Sequence, residues 1–236
     1  MSSFTTRLAP EISKPVSLLA GPPAKCRYRL LDERRQRLKR FLDVAVAGLL
    51  LLPAIPIGAL IALAIRLETR GPVFFAHTRI GKGRRHFRLW KFRSMVADAP
   101  AALEGHFRKH PADRIEWARS HKLKDDPRVT RVGRWLRRSS LDELPQVWNV
   151  LRGEMSMVGP RPIVEAEVPK YGPALSLYTE VRPGLTGLWQ VSGRNDTTYR
   201  ERIELDSEYV RNWSLCMEAR VLLKTVSVVL FGHGAY

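Results

Sequence analysis

Apolar and polar positions are unevenly spread along this chain. From Val44 to Ile65 no side chain is charged or polar, and Pro53 and Pro56 interrupt the run near its middle. About 20 apolar residues can span a bilayer, so the length points to a membrane. Each arm beside the prolines has about a dozen residues, roughly 18 Å of helix and short of a ~30 Å hydrocarbon core. A proline inside a helix removes a hydrogen bond and kinks it. Basic clusters stand on both sides: Arg34, Arg35, Arg37, Lys39 and Arg40 before, and Arg66, Arg70, Arg79, Lys82, Arg84 and Arg85 after. A spanning helix leaves its basic excess on the cytoplasmic side only. Two basic flanks therefore predict a bent element that enters and leaves on one face. A kinked spanning helix and a buried helix of a soluble protein are the alternatives.

The remaining pattern divides the chain into residues 1–38, a flexible basic tail; 39–67, the membrane element; and 68–236, the domain that holds the candidate chemistry. Val73 to Thr78 and Phe87 to Phe92 read as two strands joined by a turn at Gly81-Lys82-Gly83. His77 and His86 have no metal-type residue at useful spacing and read as solvated or packed. Val132, Trp135 and Leu136 fall on one helical face among Arg131, Arg134, Arg137 and Arg138. Gln146 to Leu151 reads as a short helix stopped by Gly153, and Met155 to Val158 as a strand. Residues 159–195 read as loops punctuated by Gly and Pro. Two helices are predicted from about Arg202 to Phe231, the last largely apolar and able to lie in the membrane interface. The expected class is α+β, mainly helical with a small β-hairpin.

Composition narrows the partners. The 236 residues carry a net charge of +17, which calls for an anionic partner: nucleic acid, anionic lipid or a phosphorylated substrate. Lys and Arg are densest beside the apolar run, where anionic lipid accounts for them. No zinc spacing, RNP-like string or recognition helix supports nucleic-acid binding. The two cysteines make no disulfide framework and suit a reducing compartment.

Candidate chemistry centres on Ser140-Leu141-Asp142-Glu143. One reading is helix capping, because Ser140 with Glu143 fits a capping box and acids in a first turn complement the helix dipole. The other is a reactive carboxylate pair, since two adjacent acids cannot both serve one cap. A carboxylate there can bind Mg²⁺ or attack phosphorus. Arg161 sits between two prolines, Arg182 and Arg194 lie in glycine-punctuated loops, and guanidinium forks match phosphate oxygens. Lys91 on the return strand is a further phosphate contact.

Eight motifs in order carry a family resemblance: Lys39-Arg40-x-x-Asp43, the proline-broken run, Lys91-Phe92-Arg93-Ser94-Met95, Asp126-Pro127-Arg128-Val129-Thr130, Ser140 to Gln146, Gly159-Pro160-Arg161-Pro162, Arg182 to Gly187, and Gly193-Arg194-Asn195. Over about Lys39 to Phe231 the chain resembles the bacterial sugar transferases, the monotopic polyprenyl-phosphate sugar-1-phosphate transferases, and most of all their exopolysaccharide-initiating members. The resemblance implies transfer of a hexose-1-phosphate from a UDP-sugar to undecaprenyl phosphate, with release of UMP and with Mg²⁺ as cofactor. Asp142 would be the nucleophile and a metal ligand, and Glu143 its partner. Lys91, Arg137, Arg161 and Arg194 would bind phosphate or nucleotide. The membrane bend would fall at Pro56, preceded here by Ile55 where relatives often have a small polar residue. It also implies a seat on the cytoplasmic face of the bacterial inner membrane, contact with anionic lipids, no nucleic acid, and room for a homodimer. A non-catalytic scaffold of polysaccharide assembly is the alternative, which the intact Asp142-Glu143 pair argues against.

Overall fold

The computed structural model describes residues 28–120, 123, 125–192 and 197–231. It is mainly helical, with two small two-stranded sheets. Helix α1, Glu33–Glu68, is followed by the antiparallel hairpin of β1 (Phe74–Ile80) and β2 (His86–Phe92). Helices α2 (Ala99–Lys109), α3 (Pro111–Ser120), α4 (Arg131–Ser139) and α5 (Gln146–Arg152) come next. Strand β3 (Ser156–Val158) then precedes α6 (Val168–Tyr171) and α7 (Ala174–Thr179), and pairs in parallel with β4 (Gly184–Thr186). The long helices α8 (Tyr199–Asn212) and α9 (Leu215–Phe231) close the fold.

Helix α1 differs from expectation at its start and at its middle. Its hydrogen-bonded run begins at Glu33, capped by the Asp32 carboxylate on the Arg35 N–H at 3.0 Å. Residues 28–38 are thus part of the fold rather than of a tail, because Leu30 is only 2 % exposed in the main core. The two arms expected around the prolines form one helix with Pro53 and Pro56 inside it. The helix therefore runs through Pro56 without a break into two.

Both ends of α1 are fastened to the same globular body. At its base Lys39 lies 2.5 Å from Glu218 on α9 and 3.3 Å from Asp43. Asp43 accepts the Met157 N–H at 2.9 Å and sits against the Ser156 hydroxyl, both on β3. Arg40 donates to the Val150 and Leu151 carbonyls at the C-terminus of α5. At its far end Glu68 accepts the Arg131 and Val132 N–H groups that open α4. Ile61 and Ile65 pack on Phe92 and Leu136. Between these anchors the apolar surface is uncovered: Leu49, Leu52 and Leu60 are about 70 % exposed, unlike those of a core helix.

The predicted hairpin is present, with Phe74 opposite Phe92 and Ile80 opposite His86. Helix α5 stops where Gly153 takes φ 81°, a left-handed cap that glycine adopts without strain. The α4 face is narrower than expected. Leu136 is fully buried and Val132 packs beside it, whereas Trp135 is exposed. Strand β4 falls where the Gly/Pro pattern predicts loop. It forms because Gly159 and Gly184 let two backbones meet: a Cβ on Gly184 would lie 2.1 Å from the Gly159 nitrogen. That contact fixes the loop carrying Arg161.

Candidate active site

The chain leaves α4 through Ser140, whose φ of 57° and ψ of 15° are left-handed. This reversal turns Leu141–Glu143 into a single 3-10 turn ahead of α5. The capping alternative is not realised, because the Ser140 side chain makes no cap bond. Glu143 instead turns to Lys91, with Oε1 2.7 Å from Nζ, and Asp142 Oδ2 lies 3.3 Å from the same nitrogen. Lys91 reaches them from β2, where it pairs with Phe75 in the hairpin register.

Asp142 is buried, and burial pushes its carboxyl above the ordinary range. Lys91 offsets part of that shift, Glu143 adds to it, and Arg137 opposes it. For Lys91 burial disfavours the ammonium, yet Glu143 and Asp142 outweigh it and hold the lysine above its usual value. Arg137 stands on the last turn of α4 and donates from Nε to Ser94 Oγ at 2.9 Å. Arg161 is presented by its loop. Its backbone N–H donates to Asp206 Oδ2 at 3.3 Å, and its guanidinium lies 5.3 Å from the Trp189 ring centroid.

Lys91, Arg137, Asp142, Glu143 and Arg161 line one cavity of about 720 Å³, with Ser94, Trp189 and three phenylalanines, Phe74, Phe75 and Phe92. Arg194 lies outside the described residues. His86 pairs with Glu165 at 3.1 Å and takes no part. Beside the cavity an apolar groove of about 510 Å³ runs along α1, lined by Ala54, Gly58, Ala62 and Trp148 among others. Phe74 and Phe92 border both spaces.

Two supporting residues escaped the sequence reading. Ser94 was visible only as part of a motif. Asp206 looks like another acid of α8 beside Glu201, Glu204 and Glu208, but it is 4 % exposed and braces the Arg161 loop together with the Tyr171 hydroxyl at 3.1 Å. Burial pushes its carboxyl up to about 7, against the pull of the Arg161 N–H and Tyr171. The unfolded carboxyl titrates near 4. The folded state therefore holds this proton more tightly, and the group's stabilising contribution is lost as pH rises from about 4 to about 7. Thermal unfolding of wild type should show this decline, on the order of a few kcal/mol, and Asp206→Asn should flatten it.

Close packing also sets the site. A Cβ on Gly133 would lie 2.0 Å from the Ser94 carbonyl oxygen, a backbone atom that cannot rotate away. Gly133→Ala should destabilise by about 1–3 kcal/mol or more, as overpacking does. It should also lower turnover, because α4 cannot move away from Ser94 without moving Arg137. Unfolding midpoints and the rate at saturating substrate measure the two effects.

Residues 34–232 match the model of the bacterial sugar transferase family, and the chain belongs to that family. It is 46 % identical over 199 residues to a "UDP-galactose-lipid carrier transferase" of Erwinia amylovora, covering 84 % of this chain and 42 % of that protein. It is 46 % identical over 198 residues to the exopolysaccharide production protein ExoY of Rhizobium meliloti, covering 84 % of this chain and 88 % of that protein. It is 42 % identical over 206 residues to a "UDP-glucose:undecaprenyl-phosphate glucose-1-phosphate transferase" of Caulobacter vibrioides, covering 84 % and 72 %. The chain thus spans less than half of one such relative and most of another.

Proposed function

We propose that this protein transfers a hexose-1-phosphate from a UDP-sugar to undecaprenyl phosphate, releasing UMP, as the first membrane step of exopolysaccharide synthesis. The observation that carries the reading is the Asp142-Glu143 pair, held by Lys91 in a cavity with Arg137 and Arg161 and bordered by an apolar groove on α1. Cationic side chains suit a pyrophosphate, and the groove suits a lipid acceptor. The names of the relatives, which mention UDP-glucose, a galactose-lipid carrier and undecaprenyl phosphate, support the same substrates.

In the first displacement an Asp142 oxygen attacks the sugar-linked phosphorus, the bond to the UMP oxygen breaks, and UMP leaves. The enzyme then carries the sugar phosphate as a mixed anhydride on Asp142. In the second, an oxygen of undecaprenyl phosphate attacks that phosphorus and Asp142 departs as carboxylate. Glu143 receives the acceptor's proton or orients its phosphate. Arg137 and Arg161 stabilise charge on the phosphoryl oxygens in both steps. The Lys91 ammonium favours the carboxylate form of Asp142 against the effect of burial. Two adjacent carboxylates lining the cavity fit Mg²⁺, which takes one or two carboxylates plus substrate phosphates. Asp142 would hold the ion, which supplies charge neutralisation at the pyrophosphate. Incubating the protein with UDP-sugar, Mg²⁺ and undecaprenyl phosphate tests the reading: UMP is expected. UDP would instead mean ordinary glycosyl transfer and overturn the mechanism.

We place α1 in the cytoplasmic leaflet as a re-entrant element. Supporting this, its base and its far end are tied to one globular body, while its apolar middle is left exposed. A helix crossing the bilayer would put those ends on opposite sides. The exposed Trp135 amid arginines on α4 suits an interfacial helix. Cysteines placed at Arg34 and Arg70, in a background lacking the native thiols, should both resist a membrane-impermeant maleimide in intact cells. Both should react in inverted vesicles. Labelling of one from outside would rule the topology out.

A further inference from the structure

A second cationic site lies at the far end of the hairpin from the dyad. A cavity of about 900 Å³ opens there, lined by Gln36, Arg40, Lys82 and Arg182 among others. The last three are close enough that Arg182 weakens the charged state of both Arg40 and Lys82, alongside the larger effect of burial. Their hydrogen bonds go to neutral groups. Arg40 caps the Val150 and Leu151 carbonyls, Arg182 Nε donates to the Gly153 carbonyl at 2.8 Å, and Lys82 donates to Gln36. None of the three forms an ion pair among the described residues. Of the carboxylates lining the cavity, Asp32 caps α1 and Glu33 holds Arg37 at 3.2 Å, which leaves Glu180 near Lys82. The two terminal nitrogens of Arg182 have no hydrogen-bond partner among the described residues, and a guanidinium fork of this kind matches phosphate oxygens.

The depth of the site identifies the source of that phosphate. Arg40 sits one helical turn before Val44, where the uncharged run starts. On the same turns Leu38 and Phe41 are exposed, at 44 % and 70 %. Apolar side chains turned outward beside an arginine place this level at the headgroups, given the membrane seating proposed above.

From this juxtaposition we infer that Arg40, Lys82 and Arg182 bind the headgroup phosphate of an anionic phospholipid, at a site separate from the catalytic cavity. The bound lipid fastens the base of α1 to the end of α5, whose other end follows Asp142 and Glu143.

The test uses the full chain purified in a neutral detergent and offered phosphatidylglycerol, phosphatidylcholine or inorganic phosphate, read by native mass spectrometry and thermal unfolding. Wild type should retain one phosphatidylglycerol in preference to phosphatidylcholine and unfold at a higher temperature with it. Lys82 is the variant of choice, since it lies in a surface turn and caps no helix. Lys82→Gln should weaken retention about fivefold, the effect of one cation at a lipid surface, and Lys82→Glu by more. Equal retention of both lipids, or undiminished retention in Lys82→Glu, would overturn the site. An equal thermal shift with inorganic phosphate would overturn the lipid assignment. UMP release in detergent should be unchanged in Lys82→Glu, and a loss there would place Lys82 in the catalytic machinery instead. Selective retention by a wild type that releases no UMP would sink the transferase reading and leave this site standing.

Discussion

Asp142→Asn is expected to abolish UMP release, by about 10⁴-fold or more, while leaving the protein folded. The size follows from the role: removing a nucleophile removes the whole covalent route and not one stabilising contact. Preservation of the fold follows from the surroundings. Asn has the shape of Asp, and Lys91 keeps Glu143 at 2.7 Å as its counter-ion. The buried carboxylate is itself costly, as its raised affinity for a proton indicates. The amide should therefore be neutral or mildly stabilising in thermal unfolding. Glu143→Gln should lose less, about 10²–10⁴-fold, the range of a proton-transfer partner. Wild type given a UDP-sugar labelled in the sugar, without acceptor, should carry label on the protein, and Asp142→Asn should carry none. Substantial turnover in the asparagine variant would remove Asp142 from the nucleophile position.

That pair also marks how far the sequence could be read. Ser140 to Glu143 satisfies a capping box as well as it satisfies a reactive dyad, and nothing local separates the two. What sets the cap aside lies elsewhere in the chain: Lys91, 51 residues before Asp142, bonds both carboxylates, and the left-handed Ser140 makes no side-chain cap bond. Elements with a strong local signal were legible: the apolar run of α1, the alternating strands of the hairpin, and α5 with its terminal Gly153. Elements of three to six residues, β4, α6 and α7, were not, because their stability comes from packing and not from propensity. Trp135 follows the helical period of Val132 and Leu136 yet faces outward, since period alone does not say how wide the buried stripe is. Arg161 was legible as a presented guanidinium, but Asp206, which holds its loop, was hidden among the acids of α8.

The base of α1 makes the same point and carries the largest expected effect on stability. Lys39→Met should cost about 3–5 kcal/mol, the range for breaking a buried ion pair from one side. Lys39, Asp43 and Glu218 are each 6 % exposed or less. The lysine bonds both carboxylates of this network, at 3.3 and 2.5 Å, and its link to Glu218 spans 179 residues. Without it Asp43 keeps Ser156 and Met157 as donors, and Glu218 keeps the Tyr209 hydroxyl at 2.7 Å and the Trp213 N–H at 2.8 Å. Those neutral donors do not cancel two buried negative charges. Adding Glu218→Gln to Lys39→Met should recover part of the loss, because it removes one orphaned charge, and the double-mutant cycle measures that coupling. A typical domain has about 5–15 kcal/mol in reserve. The single variant should therefore unfold at much lower denaturant concentration and lose activity through its folded fraction, with turnover per folded molecule preserved. A Lys39→Met protein within about 0.5 kcal/mol of wild type would mean that the network does not hold α1 to α9. In that case the fastening of both ends of α1 to one body, which supports the re-entrant seat, would rest on the Glu68 end and, at the base, on Arg40 and on Asp43 against β3.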